Sequence, residues 1–249
     1  MPGLRDGDLL RMAARAWLLQ ATWNYERQQG LGFAWSLEPA IERLYSAPAE
    51  RCARLAEHTA YFNTQPTMAS LALGAVAGLE EQRAGGAAMD DDAIRRVKAV
   101  LGSSLAALGD RLFWLTLRPV AACLGVVLAL TGSQLGAVAL WLCYNAVHQT
   151  VRWRGVRWGY QRGPEVLSAP LRGRFERLGT ALCVVGVALI GVLVAVLLVP
   201  GGRVQQVTYQ VALVAGLGLG LLAAQRARPS PSEWAFVIGA GCIAVVWSR

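Results

Sequence analysis

Residues 178–199 form a run of 22 positions without one charged side chain. As a helix this run would be roughly 33 Å long, about the hydrocarbon thickness of a bilayer. A buried core helix seldom reaches that length, so the run predicts a membrane span. Further apolar stretches lie at 135–150, 207–225 and, shorter, 234–247. The stretch 120–130 reaches spanning length only if Pro119 and residues 112–117 extend it. Up to about Arg118 the chain instead mixes Arg, Glu, Asp, Pro and aromatics as a soluble domain does. The pattern predicts an all-α membrane protein, with amphipathic and re-entrant helices in the N-terminal half and several transmembrane helices in the C-terminal half. It reads as one unit over 1–249, with a partly polar part at 1–118 and a transmembrane part at 119–249.

Within the N-terminal half, Leu9, Met12, Ala16, Leu19 and Trp23 recur at helical spacing, with Arg11 and Arg15 on another face. Such a helix suits a membrane surface or a partner, and equally an ordinary amphipathic core helix. The apolar segments 69–79 and 99–109 are too short to cross and are bounded by Pro, Asn or Asp. Paired short segments of this kind predict re-entrant hairpins shielded by protein or lining a wet cavity. Two loops packed on the surface are the plainer alternative.

Charge changes the picture chiefly through its location. The net charge is +8, and residues 151–177 carry Arg152, Arg154, Arg157, Arg162, Arg172, Arg174 and Arg177 against Glu165 and Glu176. Read as a loop between apolar segments, this stretch marks the cytoplasmic side. Residues 178–199 would then exit, 200–206 lie outside, 207–225 return and 234–247 lead outward again, while upstream 120–130 exits and 135–150 enters. No nucleic-acid-binding motif accompanies the basic charge, so nucleic acid is not an expected partner. Cys52, Cys123, Cys143, Cys183 and Cys242 show no paired spacing and read as small hydrophobes. With only His58 and His148, no metal site is expected. The first residues, with Arg5, Asp6 and Asp8, lack a signal-peptide pattern.

Three local constellations are more specific. They are Trp23-Asn24-Tyr25-Glu26-Arg27-Gln28-Gln29-Gly30-Leu31-Gly32-Phe33, then Phe62-Asn63-Thr64-Gln65-Pro66, then Gly109-Asp110-Arg111-Leu112-Phe113-Trp114-Leu115-Thr116-Leu117-Arg118-Pro119. A basic, tryptophan-containing stretch and Gly159, Tyr160 and Gly163 follow. In this order they resemble the IID component of the mannose/fructose/sorbose family of the bacterial phosphoenolpyruvate-dependent sugar phosphotransferase system, over about residues 10–199. The chain departs from the family pattern at Gln65, where histidine is usual, at Arg111, where a small polar residue is common, and in an abbreviated region after Val199.

The resemblance implies a multi-pass permease subunit of the bacterial cytoplasmic (inner) membrane. It implies a IIC membrane partner, assembly as an oligomer of that heterodimer, and cytoplasmic IIA and IIB phosphocarriers that phosphorylate the hexose. No cofactor and no covalent chemistry are implied for this chain, which has no phosphate-binding loop. A non-transporting receptor or regulatory component is the alternative. An intramembrane hydrolase fares badly, since Asp110 lacks a second carboxylate in a comparable setting.

A sugar presents hydroxyls and an apolar ring face, so its site needs bidentate polar side chains beside an aromatic surface. Asn24, Glu26, Asn63, Gln65, Asp110 and Trp114 supply that chemistry, with Trp23 and Tyr25 close in sequence. Structural roles compete with this reading. Glu26 with Arg27, or Asp110 with Arg118, would pair to neutralise charge at membrane depth, and Asn63 would cap a turn or helix. The IIC partner is expected to supply most of the sugar site. Asp90, Asp91 and Asp92 read as a solvated linker and helix cap, Trp153, Trp158 and Tyr160 as an interfacial anchor, and Gly216, Gly218 and Gly220 as helix-packing positions.

Overall fold

The N-terminal stripe of apolar residues folds onto protein. In the computed structural model, which describes residues 3–88, 92–130 and 132–198, α1 (Asp6–Arg15) opens with the Asp8 carboxylate accepting from the Arg5 N–H at 3.0 Å. The aspartates of its first turn favour the helix dipole. A 3-10 turn, Ala16–Leu18, follows. Leu9, Met12, Ala16 and Leu19 are buried, whereas Trp23 is half exposed and packs edge-on against Tyr25. The core-helix alternative therefore describes α1, and its stripe stops at Leu19.

α2 (Gly30–Leu44) crosses the end of α1 so closely that a methyl group on Gly32 would overlap the Leu19 carbonyl. Pro39 lies inside α2 and cannot donate to Trp35, four residues back. The freed Trp35 carbonyl accepts from Arg15 Nη1 at 3.0 Å instead. α3 (Pro48–His58) packs on α2. α4 (Ala69–Ala84) then runs through the centre of the core, where residues 69–77 are all buried. A helix that is apolar on every face has nowhere else to go.

α5 (Ala93–Gly109) doubles back along α4, with Gly109 against Met68 at the opening turn of α4. The predicted break at Asp110 is absent. Asp110–Leu117 forms a π-helical segment that leads directly into α6 (Arg118–Leu130), so 93–130 is one helix of 38 residues. Thr116 Oγ1 donates to the Arg111 carbonyl at 2.8 Å within this widened turn. Pro119 would clash with the carbonyl four residues back in a tight α-turn, and the extra residue per turn gives it room. Segment 99–109 is therefore part of a long helix rather than an isolated re-entrant piece, and 120–130 is extended as its length required.

The arginine-rich stretch is also helical. α7 (Gly136–Arg162) continues past Thr150 through Arg152, Arg154 and Arg157. A 3-10 turn (Gly163–Leu167) follows, and Arg172, Arg174 and Arg177 already belong to α8 (Ala169–Leu198). The expected loop over 151–177 is thus mostly helix. The reason is packing: Val151, Arg152, Gly155, Val156 and Gly159 form a buried stripe against α4. Among the described residues two helices are long and apolar enough to cross a membrane, Ala93–Leu130 and Pro170–Leu193. On α8 the valines 184, 185 and 187 and Ile190 are exposed, as lipid-facing side chains would be. The expectations for 200–206, 207–225 and 234–247, for Gly216, Gly218 and Gly220, for Cys242, and for Asp90 and Asp91 lie outside the described residues. Asp92 precedes α5 and pairs with Arg95.

α4 and α7 run parallel in near backbone contact. Thr67 meets His148, Ser70 Oγ donates to the Val151 carbonyl at 3.1 Å, and Tyr160 Oη donates to Glu81. Ser70 and Gly155, Gly74 and Val156, and Gly159 and Leu71 interlock between these ties. Tyr160 is thereby fastened to α4, Trp158 packs on the core and Trp153 lies against Trp17, so this cluster holds protein rather than only an interface.

One charged group is wholly buried at the far end of α4. Glu80 accepts from Tyr45 Oη at 2.6 Å, lies 3.1 Å from His58 Nε2 and faces Arg83 at 3.4 Å. Burial alone would raise its pKa, but the bonds from His58 and Tyr45 and the charge of Arg83 outweigh it and hold the carboxyl below its ordinary value. Burial and the Glu80 carboxylate together push the Tyr45 phenol up. Across the cluster, Lys98 Nζ donates to the His58 carbonyl at 2.7 Å, closing the C-terminus of α3.

Two outcomes follow from this packing. Gly74→Ala or Gly159→Ala puts a methyl group onto the Val156 or Leu71 carbonyl, and each should cost about 3 kcal/mol or lose the folded protein. Gly173→Ala, with nothing near the added carbon, should be neutral, as read by thermal unfolding in detergent. The lowered pKa of Glu80 means its ionised form stabilises the fold above the ordinary carboxylate pKa, and that contribution disappears as pH falls through the folded value. Glu80→Gln should therefore flatten the fall in unfolding temperature on acidification below about pH 4.

Candidate functional site

The first motif folds into a closed turn. Asn24 and Gln28 exchange backbone hydrogen bonds of 3.3 and 2.9 Å, and Asn24 Oδ1 accepts from the Arg27 N–H at 2.8 Å. Gln28 takes a left-handed backbone with φ of 52°, a conformation uncommon for a residue with a side chain. The second motif is fastened alongside. Gln29 N donates to the Phe62 carbonyl at 2.8 Å, and Phe62 N donates to the Arg27 carbonyl at 3.3 Å.

The buried Gln29 side chain completes the joint by acting as a peptide group would. Its Nε2 donates to the Thr64 carbonyl at 2.8 Å, and its Oε1 accepts from Thr64 N at 3.1 Å. Sequence reasoning passed over Gln29, although it lies within the first motif, because an amide offers no chemistry that marks it as a clamp.

Gln65 is buried and serves the start of α4. Its Oε1 accepts from Thr67 N at 2.7 Å and from Met68 N at 3.0 Å, satisfying donors that a helix start leaves open. The third motif touches it directly, since any side chain at Gly109 would press on Gln65 and Met68. Asn63 is exposed, and its carbonyl lies over Gly102 of α5. The three motifs thus meet around the opening turn of α4.

Two further residues that sequence reasoning did not single out complete this region. Thr67 Oγ1 lies 2.9 Å from His148 Nδ1, and the His148 ring stacks on Tyr144 and stands edge-on to Phe113 and Trp17. One turn on, the buried Arg152 donates to the Ala16 carbonyl at 2.6 Å and lies over Trp17. The signal was their four-residue spacing on one face of α7.

The π-helical segment sets up a different surface. Leu112, Phe113, Thr116 and Leu117 point inward, while Asp110, Trp114 and Arg118 are exposed. Spaced four residues apart, these three lie along one flank of the helix. Arg118 does not pair with Asp110. Its guanidinium lies 5.4 Å over the Trp114 ring.

The six sequence-predicted residues do not converge on one pocket. Gln65 lies against Gly109, next to Asp110, with Trp114 one turn further along. Asn24 closes its own turn, and Glu26 is exposed with Arg27 at 3.8 Å. Glu26 instead borders an open cleft of about 660 Å³ with Arg54, Glu57, Arg83 and Arg95.

Comparison with known proteins agrees with these features. The profile of the PTS system mannose/fructose/sorbose family IID component matches residues 3–210. The sorbose-specific EIID component of Klebsiella pneumoniae is 40% identical over 191 residues, covering 77% of this chain and 70% of that protein. The mannose-specific EIID component of Escherichia coli K12 is 40% identical over 192 residues, covering 77% and 68%. A chain in the cryo-electron microscopy structure of the mannose transporter ManYZ with microcin E492 superposes with a TM-score of 0.63 at 32% identity, covering 99% of this chain and 97% of that one. The chain belongs to the mannose/fructose/sorbose family of PTS IID components and is a membrane subunit of a sugar transporter of that system.

Proposed function

We propose that this subunit works with a IIC subunit, in an oligomer of heterodimers, as a multi-pass, non-catalytic permease component of the bacterial inner membrane. It passes a hexose of the mannose/fructose/sorbose type inward, and a separate IIB protein, supplied by IIA, phosphorylates the sugar. The ManYZ structure, a transporter to which this chain is similar over nearly its whole length, supports a paired membrane assembly. The relatives' names, mannose- and sorbose-specific components, favour transport over a purely regulatory receptor.

The observation that carries the reading is the exposed line of Asp110, Trp114 and Arg118 on a helix long enough to cross the membrane. A carboxylate in or beside lipid is costly unless it faces a wet path or a partner. Beside an indole face, it offers what a pyranose needs: an acceptor for hydroxyls and a plate for the C–H face of the ring. We assign this flank to the wall of the sugar path that this chain shares with IIC. Gln65 and Asn24 hold the surrounding backbone, and Asn63 and Glu26 remain on the exposed surface of the same knot of motifs.

Hexose uptake by cells expressing the subunit with its IIC and IIB partners tests the assignment. Trp114→Ala and Asp110→Asn should each lower kcat/KM about tenfold, the loss expected for one stacking or charge-assisted contact. The amount of assembled complex should stay unchanged, and uptake equal to that of the parent would remove the flank from the path. Gln65→Ala should behave differently. Loss of its cap should lower stability by about 1 kcal/mol, reducing assembled complex in thermal challenge while KM stays at the parent value.

A further inference from the structure

The long helix and α8 enclose a groove of about 490 Å³ that lies apart from the flank of Asp110, Trp114 and Arg118. One wall is a single face of the long helix, with Ser104, Leu108, Arg111 and Leu112, and the other is a single face of α8, with Arg172, Phe175 and Gly179. Leu112 and Phe175 are buried at its floor, while Arg111 and Arg172 are exposed at its rim. Arg111 has no ion-pair or hydrogen-bond partner for its guanidinium among the described residues. Arg172 shares its charge with Glu176 at 2.8 Å, which also borders the groove. Two arginines and one glutamate leave the rim net positive.

The groove also has a definite level relative to the membrane. Arg177 is the last charge before the uncharged run of α8, and beyond Arg111 the only charge before Arg152 is Arg118. The α8 wall therefore turns from charged to apolar at the groove, while on the long helix Asp110 and Arg111 stand between the uncharged runs 99–109 and 112–117. Arg172, in the first turn of α8, sets a cation at the positive end of that helix's dipole, which disfavours the helix. A compensating anion at the same spot would relieve that repulsion.

We propose that this groove binds an anionic phospholipid, its headgroup phosphate held between Arg111 and Arg172 near the Ser104 hydroxyl and one acyl chain lying over Leu108, Leu112 and Phe175. Guanidinium groups match phosphate oxygens bidentately, and the apolar floor suits a hydrocarbon chain where it leaves the interface. The inference rests on membrane residence and not on the sugar path. Arg111, an unusual residue at its position in the third motif, acquires a role as the second phosphate ligand.

The test uses the complex of this chain with its IIC subunit, stripped of lipid in neutral detergent. Retained lipid is counted by native mass spectrometry during titration with phosphatidylglycerol, phosphatidylcholine of the same acyl chains, or water-soluble glycerol phosphate. Phosphatidylglycerol should bind at least about tenfold more tightly than phosphatidylcholine, and Arg111→Gln and Arg172→Gln should each remove about tenfold of that affinity. Gly179→Leu should weaken binding without changing charge, because a Cβ at Gly179 meets only Leu112, at 4.0 Å, and the added side chain would fill the groove. Arg174→Gln, outside the groove, should leave binding unchanged. Equal affinity for both lipids would overturn the proposal, as it would if IIC covers the groove. So would an equal loss with Arg174→Gln, which would reveal diffuse surface charge. Competition by glycerol phosphate as strong as by the lipid would mark a soluble-phosphate site instead.

Discussion

The close parallel contact between α4 and α7 is the constraint on which the other placements depend. Ser70, Gly74 and Gly78 recur every fourth residue on α4, and Gly155 and Gly159 do so on α7. Small residues at this spacing let two backbones approach until carbonyls and Cα groups touch, which gains dispersion along the whole contact. A Cβ at Gly74 or Gly159 would strike the facing backbone, and one at Gly155 the Ser70 side chain. The seam therefore fixes both the distance and the register of the two helices.

Register then decides which polar groups meet. With Ser70 opposite Val151, Thr67 falls beside His148 and Glu81 beside Tyr160. Arg152 is carried past the edge of α4 to reach the Ala16 carbonyl, so the end of α1 is tied to the same seam. The first turn of α4 is likewise held in place, with Gln65 capping it and Gln29 clamping the strand that leads into it. α5 packs against this turn through Gly109, and the π-helical segment begins at the next residue. The exposed flank of Asp110, Trp114 and Arg118 is thus positioned by contacts that start at the α4–α7 seam.

Much of this was legible in the chain, and the misreadings share one cause. The uncharged run 178–199 lies almost wholly in α8, and the three motifs meet in space as they stand together in the family pattern. Charged residues, however, were treated as breaks. Asp110 does not interrupt its helix because its side chain leaves on the outer flank while Gly109, Leu112 and Phe113 remain inside. Counting arginines over 151–177 similarly concealed a helical period, since Arg152, Gly155, Val156 and Gly159 are buried while Trp153, Arg154 and Arg157 are not. The four-residue spacing of small residues on α4 and α7 was also in view, but it identifies a seam only when both partners are known. The joint made by Gln29 was not legible at all, because an amide that imitates a peptide group gives no sign of its partner.

Separating scaffold from surface narrows what the motifs can be for. Gln29, Gln65, Gly30 and Gly109 are buried with their bonding or packing complete, so each acts on a ligand only through the backbone that it shapes. Trp114, Asp110 and Arg118 carry no such burden: the arginine lies over the tryptophan ring, and the carboxylate projects from a helix whose residues 112–130 carry a single charge, Arg118. Their four-residue spacing keeps the three on one flank of the helix. An acceptor, an aromatic plate and a cation thus share one side of the segment whose widening gives Pro119 its space. A buried seam of small residues and a four-residue spacing on the long helix together determine where this subunit presents polar groups at the membrane.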